Sequence, residues 1–387
     1  MYPNLYYAFK DLFGVEWSGL KLVNSFGFFV ALSFIAAAYI LTRELRRKSE
    51  QGLLTYQEEK IIVGKPATVS ELLLNFLLGF LMGYKLIGAF IDRDALADTQ
   101  SYILSAQGNW PAGILVGLLF AGMKWREKNQ VKLAKPEERI VRIWPQDRVG
   151  DMVIYAAVFG FLGAKIFHNL ENIDELIKDP IGSLLSFSGL TFYGGLICAT
   201  IAIWQYCRKH NMKPIHVADA IAPAMMLAYG VGRIGCQVAG DGDWGIVTNT
   251  PKPFSWLPDW AWSYTYPHNV LGEGVQIPGC LGQYCAQLPQ GVYPTPLYEI
   301  IACLLLFAFL WAIRKKITTP GVLTAIYLIV NGIERFLVEL IRVNTRYNFL
   351  GIQPTQAELI SSFLIISGLI LLIILKRKKA TASKAHV

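Results

Sequence analysis

Charge is what this chain has least of. Only 17% of its 387 residues are Asp, Glu, Lys or Arg, while 53% are hydrophobic and the mean hydropathy is +0.39. That balance argues against a water-soluble globular domain of this length. Histidine and cysteine are also scarce, at five and six residues. No His/Cys cluster has metal-ligand spacing. The cysteines are too scattered for a disulfide scaffold. Only Cys280 and Cys285 share a polar segment, which leaves open either a disulfide or two free thiols. Cys198, Cys207, Cys236 and Cys303 lie in or beside apolar runs and read as small core residues. Internal repeats are missing, which weakens a transporter reading. No basic n-region precedes the first apolar run, so no cleavable signal peptide is expected.

Long apolar runs are abundant. Nine are long enough, or nearly so, to cross a bilayer at about 20 residues each: 22–42, 69–91, 111–123, 151–168, 189–207, 217–236, 296–313, 320–341 and 358–375, the third being the shortest. The expected fold is therefore all-α, a polytopic transmembrane helical bundle of about nine spans forming one integral membrane domain over 1–387. Alternate connections hold 25 Lys and Arg against 7 on the opposite side. By the positive-inside rule the N-terminus lies outside and the C-terminus in the cytoplasm. The connections 43–68 and 124–149 and the basic tail 376–387 are then cytoplasmic, and 237–295 is a long outer, periplasmic lid or loop. The net charge of +8 describes topology and contact with anionic membrane lipid, with no nucleic-acid partner. Trp244, Trp256, Trp260 and Trp262 suit a collar at headgroup level.

Four cations fall inside the apolar runs: Lys85, Lys165, Arg233 and Arg335. A charge at the centre of a membrane helix costs about 2.5–3.5 kcal/mol on insertion scales, so each calls for a reason. Arg233 lies in Tyr229-Gly-Val-Gly-Arg-Ile-Gly-Cys-Gln-Val-Ala-Gly-Asp-Gly-Asp-Trp-Gly245. Its fork of donors fits a phosphate bidentately, and the glycines let a ligand approach the backbone, which reads as an anionic headgroup site. In Glu334-Arg-Phe-Leu-Val-Glu-Leu-Ile-Arg342, helical spacing sets Arg335, Glu339 and Arg342 on one face. They could form a salt bridge among themselves, or Glu339 could orient arginines that meet an anion. Of Asp241 and Asp243, one is expected to balance an arginine and the other to shape the turn. A calcium-loop reading of the Asp-Gly-Asp triplet lacks the rest of its pattern.

In Ser188-Gly-Leu-Thr-Phe-Tyr-Gly-Gly195, Tyr193 is either an interfacial aromatic or a hydroxyl brought close to backbone. In Tyr293-Pro-Thr-Pro-Leu-Tyr-Glu299, Thr295 should cap a helix, with Glu299 in its first turn. Lys165 and His168 should snorkel to the outer surface, and Asp219 should sit in a helix's first turn.

Taken together, these pieces resemble the bacterial phosphatidylglycerol–prolipoprotein diacylglyceryl transferase family. The resemblance rests on Gly232-Arg-Ile-Gly235 with Gly240-Asp-Gly-Asp-Trp-Gly245, and on Phe192-Tyr-Gly-Gly-Leu196. It rests further on Tyr293-Pro-Thr-Pro-Leu-Tyr-Glu299, Arg335-Phe-Leu-Val-Glu339 with Arg342, and Thr355-Gln-Ala-Glu-Leu359, in that order from about residue 20 to 375. It implies a multi-pass transferase of the bacterial inner (cytoplasmic) membrane that acts in lipoprotein biosynthesis. Such an enzyme moves the diacylglyceryl group of phosphatidylglycerol to the lipobox cysteine of a prolipoprotein signal peptide, releasing glycerol phosphate. It also implies Arg233, Arg335 and Tyr193 as catalytic residues, and it implies no metal and no organic cofactor. Arg233, Gly235, Cys236, Asp241, Asp243, Gly245, Glu339 and Arg342 would bind substrate.

The chain departs from the family in three residues. Tyr193 stands where the family has His, Cys236 where it often has Asn, and Phe26 where it has Tyr. A Tyr, with an unperturbed pKa of about 10 against about 8.5 for a thiol, is a poor base, so Tyr193 is expected to donate a hydrogen bond to phosphate. Two spans over 69–123 add to the family's usual seven. The alternative function is a transporter or channel for an anionic or phosphorylated solute, and a lipid-binding scaffold is a third reading.

Overall fold

The computed structural model describes residues 1–91, 102, 105–185, 191–344, 347–348 and 353–384. It is mostly helical. After a short amphipathic helix α1 (Leu5–Phe13), α2 (Ser25–Glu50) starts at Asn24, whose side chain accepts from the amides of Phe26 and Gly27. Strand β1 (Gln57–Val63) leads to α3 (Val69–Ile91), which opens on a Thr68/Glu71 capping box. Asn109 caps α4 (Trp110–Gln130), and β2 (Glu137–Ile143) follows. The chain continues through α5 (Val149–Glu171), two short helices α6 (Ile173–Lys178) and α7 (Pro180–Leu185), and α8 (Phe192–Lys209). The remaining helices are α9 (Pro214–Ala239), α10 (Thr295–Ile313), α11 (Val322–Glu339) and α12 (Gln356–Lys384).

Among the described residues, six helices are long and apolar enough to cross a membrane: Ser25–Glu50, Val69–Ile91, Pro145–Glu171, Pro214–Ala239, Thr295–Ile313 and Gln356–Lys378. Helices α4, α8 and α11, with 21, 18 and 18 residues, occupy the other three apolar runs.

Helix α9 is the centre of the bundle. It packs along α2 and α10 and touches α11, while α11 pairs with α12 and α5 with α8. Close approach is made where side chains are small. A Cβ on Gly235 would meet the Phe26 backbone at 3.1 Å, so glycine there lets α9 lie directly on α2. The buried core of α9, α10 and α11 joins Ala222, Met226, Cys303, Leu310 and Leu323.

Two features lie outside an all-α reading. Strands β1 and β2 pair antiparallel, Gln57 opposite Ile143 and Val63 opposite Glu137, so the connections 43–68 and 124–149 meet in a ribbon. That ribbon closes a hairpin, α3 against α4. Its helices pack along each other, and among the described residues they do not pack along the rest of the bundle. The hairpin is tied to the body at its two ends. Arg148 pairs with Glu59 and donates to Gln57 at 3.1 Å, and Trp17 stacks on Phe90 at 6.1 Å. The strands were not legible because Gln-Glu-Glu-Lys carries no apolar alternation. A second small sheet pairs Val275–Gln276 with Ala286–Gln287 in the 237–295 segment, where Cys280 and Cys285 are disulfide-bonded.

Several expectations need correcting. Lys165 does not snorkel; it is buried. Thr295 is the first helical residue of α10 and caps nothing, while Glu299 lies beyond the first turn. Asp219 serves another helix: it accepts from the amides of Gly321 (2.8 Å) and Thr324 (2.9 Å), capping α11 from α9. Of the four tryptophans, Trp244 is buried against Tyr266 and Trp262 packs on Tyr293, leaving Trp256 and Trp260 exposed. Residues 188–190 of the Tyr193 motif lie outside the described residues.

Candidate active site

Helix α9 stops at Gly240, which takes the left-handed conformation (φ 64°), and Gly242 follows at φ 94°. Residues with a Cβ rarely adopt these angles, so the two glycines reverse the chain and carry Asp241 and Asp243 back over the helix end. Three backbone segments are knitted together there. The Gly245 amide donates to the Tyr293 carbonyl (2.8 Å), and the Ile246 amide to Ile341 (2.8 Å). Gly245 and Arg342 form a β-bridge, and the Thr295 hydroxyl donates to the Asp243 carbonyl at 2.5 Å. Gly245 has no room for a side chain, because the Ile341 carbonyl oxygen would lie 2.5 Å from a Cβ.

This knitting brings three arginines and three carboxylates together. Glu299 is fully buried, and its carboxylate lies 2.9 Å from Arg233 Nε, 2.9 Å from Arg335 Nη1 and 3.7 Å from Arg342 Nη1. Asp243 pairs with both Arg233 and Arg342. Arg335 also pairs with Glu339 one turn on (3.1 Å), and Asn344 donates to Glu339 at 2.6 Å. The expected shared face of Arg335, Glu339 and Arg342 is realised only in part. Helix α11 ends at Glu339, so Arg342 turns off the helix and pairs with Asp243 instead.

Ion pairs this deep are costly to desolvate and are retained where their geometry or a function sustains them. Buried atoms Nε and Nη1 of Arg342 have no hydrogen-bond acceptor among the described residues. Guanidinium donors left without an acceptor are what a phosphate oxyanion could satisfy.

The two aspartates differ. Burial tends to raise the Asp243 carboxyl, but Arg233 and Arg342 outweigh it and hold the group below the ordinary carboxylate value. Asp241 goes the other way, raised by burial first and then by the charge of Asp243. Ligand atoms of Cys236, Asp241 and Asp243 lie within 4.8 Å of one another. Such a group could hold a cation, but Asp243 is already held by two guanidiniums, and Arg233 Nη1 is 3.6 Å from Cys236 Sγ. A cation there would compete with both guanidiniums for Asp243.

Gly235 serves helix packing and Gly245 the loop junction, so their place in the site is architectural. Tyr193 is half-buried in the first turn of α8, outside the elements that build the arginine cluster. Thr355 and Glu358 form a reciprocal cap at the start of α12, which accounts for that motif structurally.

Sequence reasoning gave Glu299 only a place at a helix start, yet it is the hub. The available signal was an acidic residue inside an apolar run facing unmatched arginines. Tyr229 was also missed; its hydroxyl donates to Glu299 at 2.9 Å, and the Arg233 guanidinium lies over its ring.

The fold and the cluster define a class: multi-pass helical membrane proteins with a buried guanidinium–carboxylate network at one end of the bundle. The model of the family described as prolipoprotein diacylglyceryl transferase matches residues 110–374, and the chain belongs to that family. The match begins at residue 110, later than the residue 20 expected from the motifs, and takes in the second helix of the hairpin.

Curated relatives carry the name phosphatidylglycerol–prolipoprotein diacylglyceryl transferase. That of Psychrobacter arcticus is 31% identical over 236 residues, covering 59% of this chain and 79% of the relative. That of Staphylococcus haemolyticus is 31% identical over 229 residues (59% and 73%), and that of Clostridium tetani 28% over 235 residues (59% and 81%). None of these findings supports the transporter reading.

Proposed function

We propose that this protein transfers the diacylglyceryl group of phosphatidylglycerol to the lipobox cysteine thiol of a prolipoprotein, forming a thioether and releasing glycerol phosphate. The observation that carries this is the joining of Arg233 and Arg335, from different helices, through Glu299. Phosphatidylglycerol would enter with its phosphodiester at Arg233, Arg335 and the unsatisfied donors of Arg342. The thiolate then attacks the glyceryl carbon, the carbon–oxygen bond breaks, and its electron pair stays on the phosphate. Guanidiniums fixed in a desolvated site stabilise that charge as it develops.

On this reading Tyr193 donates a hydrogen bond to the phosphate, and Asp243, Glu339 and Glu299 hold the arginines ready. All nine helical runs span the bacterial inner membrane, with the N-terminus and 237–295 outside and the tail 376–387 in the cytoplasm. Both substrates, the lipid and the signal peptide, would reach the cluster from the bilayer.

The test is transfer of labelled diacylglyceryl from phosphatidylglycerol to a lipobox peptide by the purified full-length protein. Thioether product on the cysteine is expected. Folded protein that yields none with a competent peptide would overturn the reading.

A further inference from the structure

Tyr229 meets two members of the cluster at once. It stands four residues before Arg233 on α9, so helical spacing puts both side chains on one face. Its hydroxyl donates to Glu299 Oε1 at 2.9 Å, and the Arg233 guanidinium carbon lies over its ring, 5.3 Å from the centroid. One aromatic side chain therefore touches both the hub carboxylate and the arginine assigned to the phosphate.

Both partners need what Tyr229 supplies. Arg233 Nε lies 2.9 Å from Glu299 Oε2, yet that oxygen has no aligned hydrogen bond among the described residues. The contact attracts the guanidinium without fixing its plane. Nη1 pairs with Asp243, which holds one corner only, and a planar cation held at a corner still rocks. The Tyr229 ring closes one face of that plane, and such a contact strengthens where water is scarce. Glu299 is fixed in turn because Oε1 accepts from the Tyr229 hydroxyl and from Arg335 Nη1, each at 2.9 Å. Among the described residues Arg233 Nη2 meets no acceptor, so it is the edge left open.

We propose that Tyr229 is a positioning residue of the transfer: its ring sets the plane of the Arg233 guanidinium, and its hydroxyl sets the Glu299 carboxylate that joins Arg233 to Arg335. The open Nη2 edge of Arg233 is then aimed at the lipid phosphate before charge develops there. Tyr229 does not touch the reacting atoms, and no bond or proton passes through it. Its effect is geometric, and small misplacements of a charge-stabilising group are expensive in rate. This inference rests on the transferase reading.

Two substitutions separate the contacts. Tyr229→Phe keeps the ring and loses the hydroxyl, while Glu299 Oε1 keeps Arg335, so no bare carboxylate is left and the protein should fold. Tyr229→Leu loses both contacts. For the full-length protein with phosphatidylglycerol and a lipobox peptide, Tyr229→Phe should lower kcat about tenfold, as for a lost hydrogen bond to a charged group. KM for the lipid should stay unchanged, because the loss falls on the transition state. Tyr229→Leu should lower kcat further and raise KM for phosphatidylglycerol about fivefold, since the guanidinium face is no longer held. KM for the peptide should not move in either variant. Wild-type kcat and KM in folded Tyr229→Leu would overturn the inference and leave the transferase reading intact. Equal losses in the two variants, or a raised KM for the peptide, would mark general damage to the site and overturn it as well. A wild type that makes no thioether would instead remove the transferase reading and the positioning role with it.

Discussion

Arg233 and Arg335 are held by one carboxylate, that of Glu299, at 2.9 Å each. Two cations on neighbouring helices would otherwise repel in a medium that screens poorly. The shared anion lets them converge before any substrate arrives, and the fully buried position of Glu299 means water does not relieve it. Preorganisation of this kind is what a developing phosphate charge requires.

Glu299→Gln should therefore be destabilising as well as inactivating. Breaking a buried pair by removing one partner costs about 3–5 kcal/mol. Thermal unfolding of the purified variant should show a clear loss, and diacylglyceryl transfer should fall with it. A variant as stable as the wild type would show that the arginines do not depend on this hub.

Tyr193→Phe tests the replacement of the family's histidine. A hydrogen bond to a charged group contributes about 1.5–3 kcal/mol, so loss of the hydroxyl should slow transfer about 10–100-fold. Steady-state rates at saturating lipid check this; an unchanged rate would leave Tyr193 as an interfacial aromatic.

The aspartates of the turn should respond to pH with opposite signs. Asp243, held below the ordinary carboxylate value, stabilises the fold above that value, and the contribution disappears as pH falls through its depressed folded value. Asp241 is raised, so its ionisation costs stability as pH rises through the raised value. At neutral pH Asp241→Asn should melt higher than the wild type, with the advantage vanishing in acid, whereas Asp243→Asn should melt lower. Melting curves across the acidic range measure both.

Asp219 separates architecture from chemistry. It caps α11 through the amides of Gly321 and Thr324 and lies far along α9 from Arg233. Asp219→Ala should cost about 3–5 kcal/mol, because it removes the cap and also leaves buried Lys48, 3.9 Å away, without its carboxylate. The protein that remains folded should transfer at the wild-type rate. A selective loss of kcat would contradict this separation.

Helix positions were readable because membrane burial writes itself as long apolar runs, and Gly240 and Gly242 marked the turn that returns Asp243 to Arg233. Contacts between distant segments were not readable. Asp219 looked like a first-turn acid because its partners, Gly321 and Thr324, become neighbours only when α9 packs near α11. Glu299 looked like part of a helix start for the same reason, since nothing local points it at Arg335. The β1–β2 ribbon escaped notice because its pairing joins residues on either side of a long hairpin. Arg342 was assigned by helical spacing to a face it leaves, since α11 ends at Glu339.

The most direct test of the account is to compare Arg233→Ala and Arg233→Lys with the wild type in transfer from phosphatidylglycerol to a lipobox peptide, confirming in parallel that each variant folds. The account predicts that alanine abolishes transfer, and that lysine, a point charge without the bidentate fork, restores only a small part. Transfer at or near the wild-type rate by folded Arg233→Ala would contradict it.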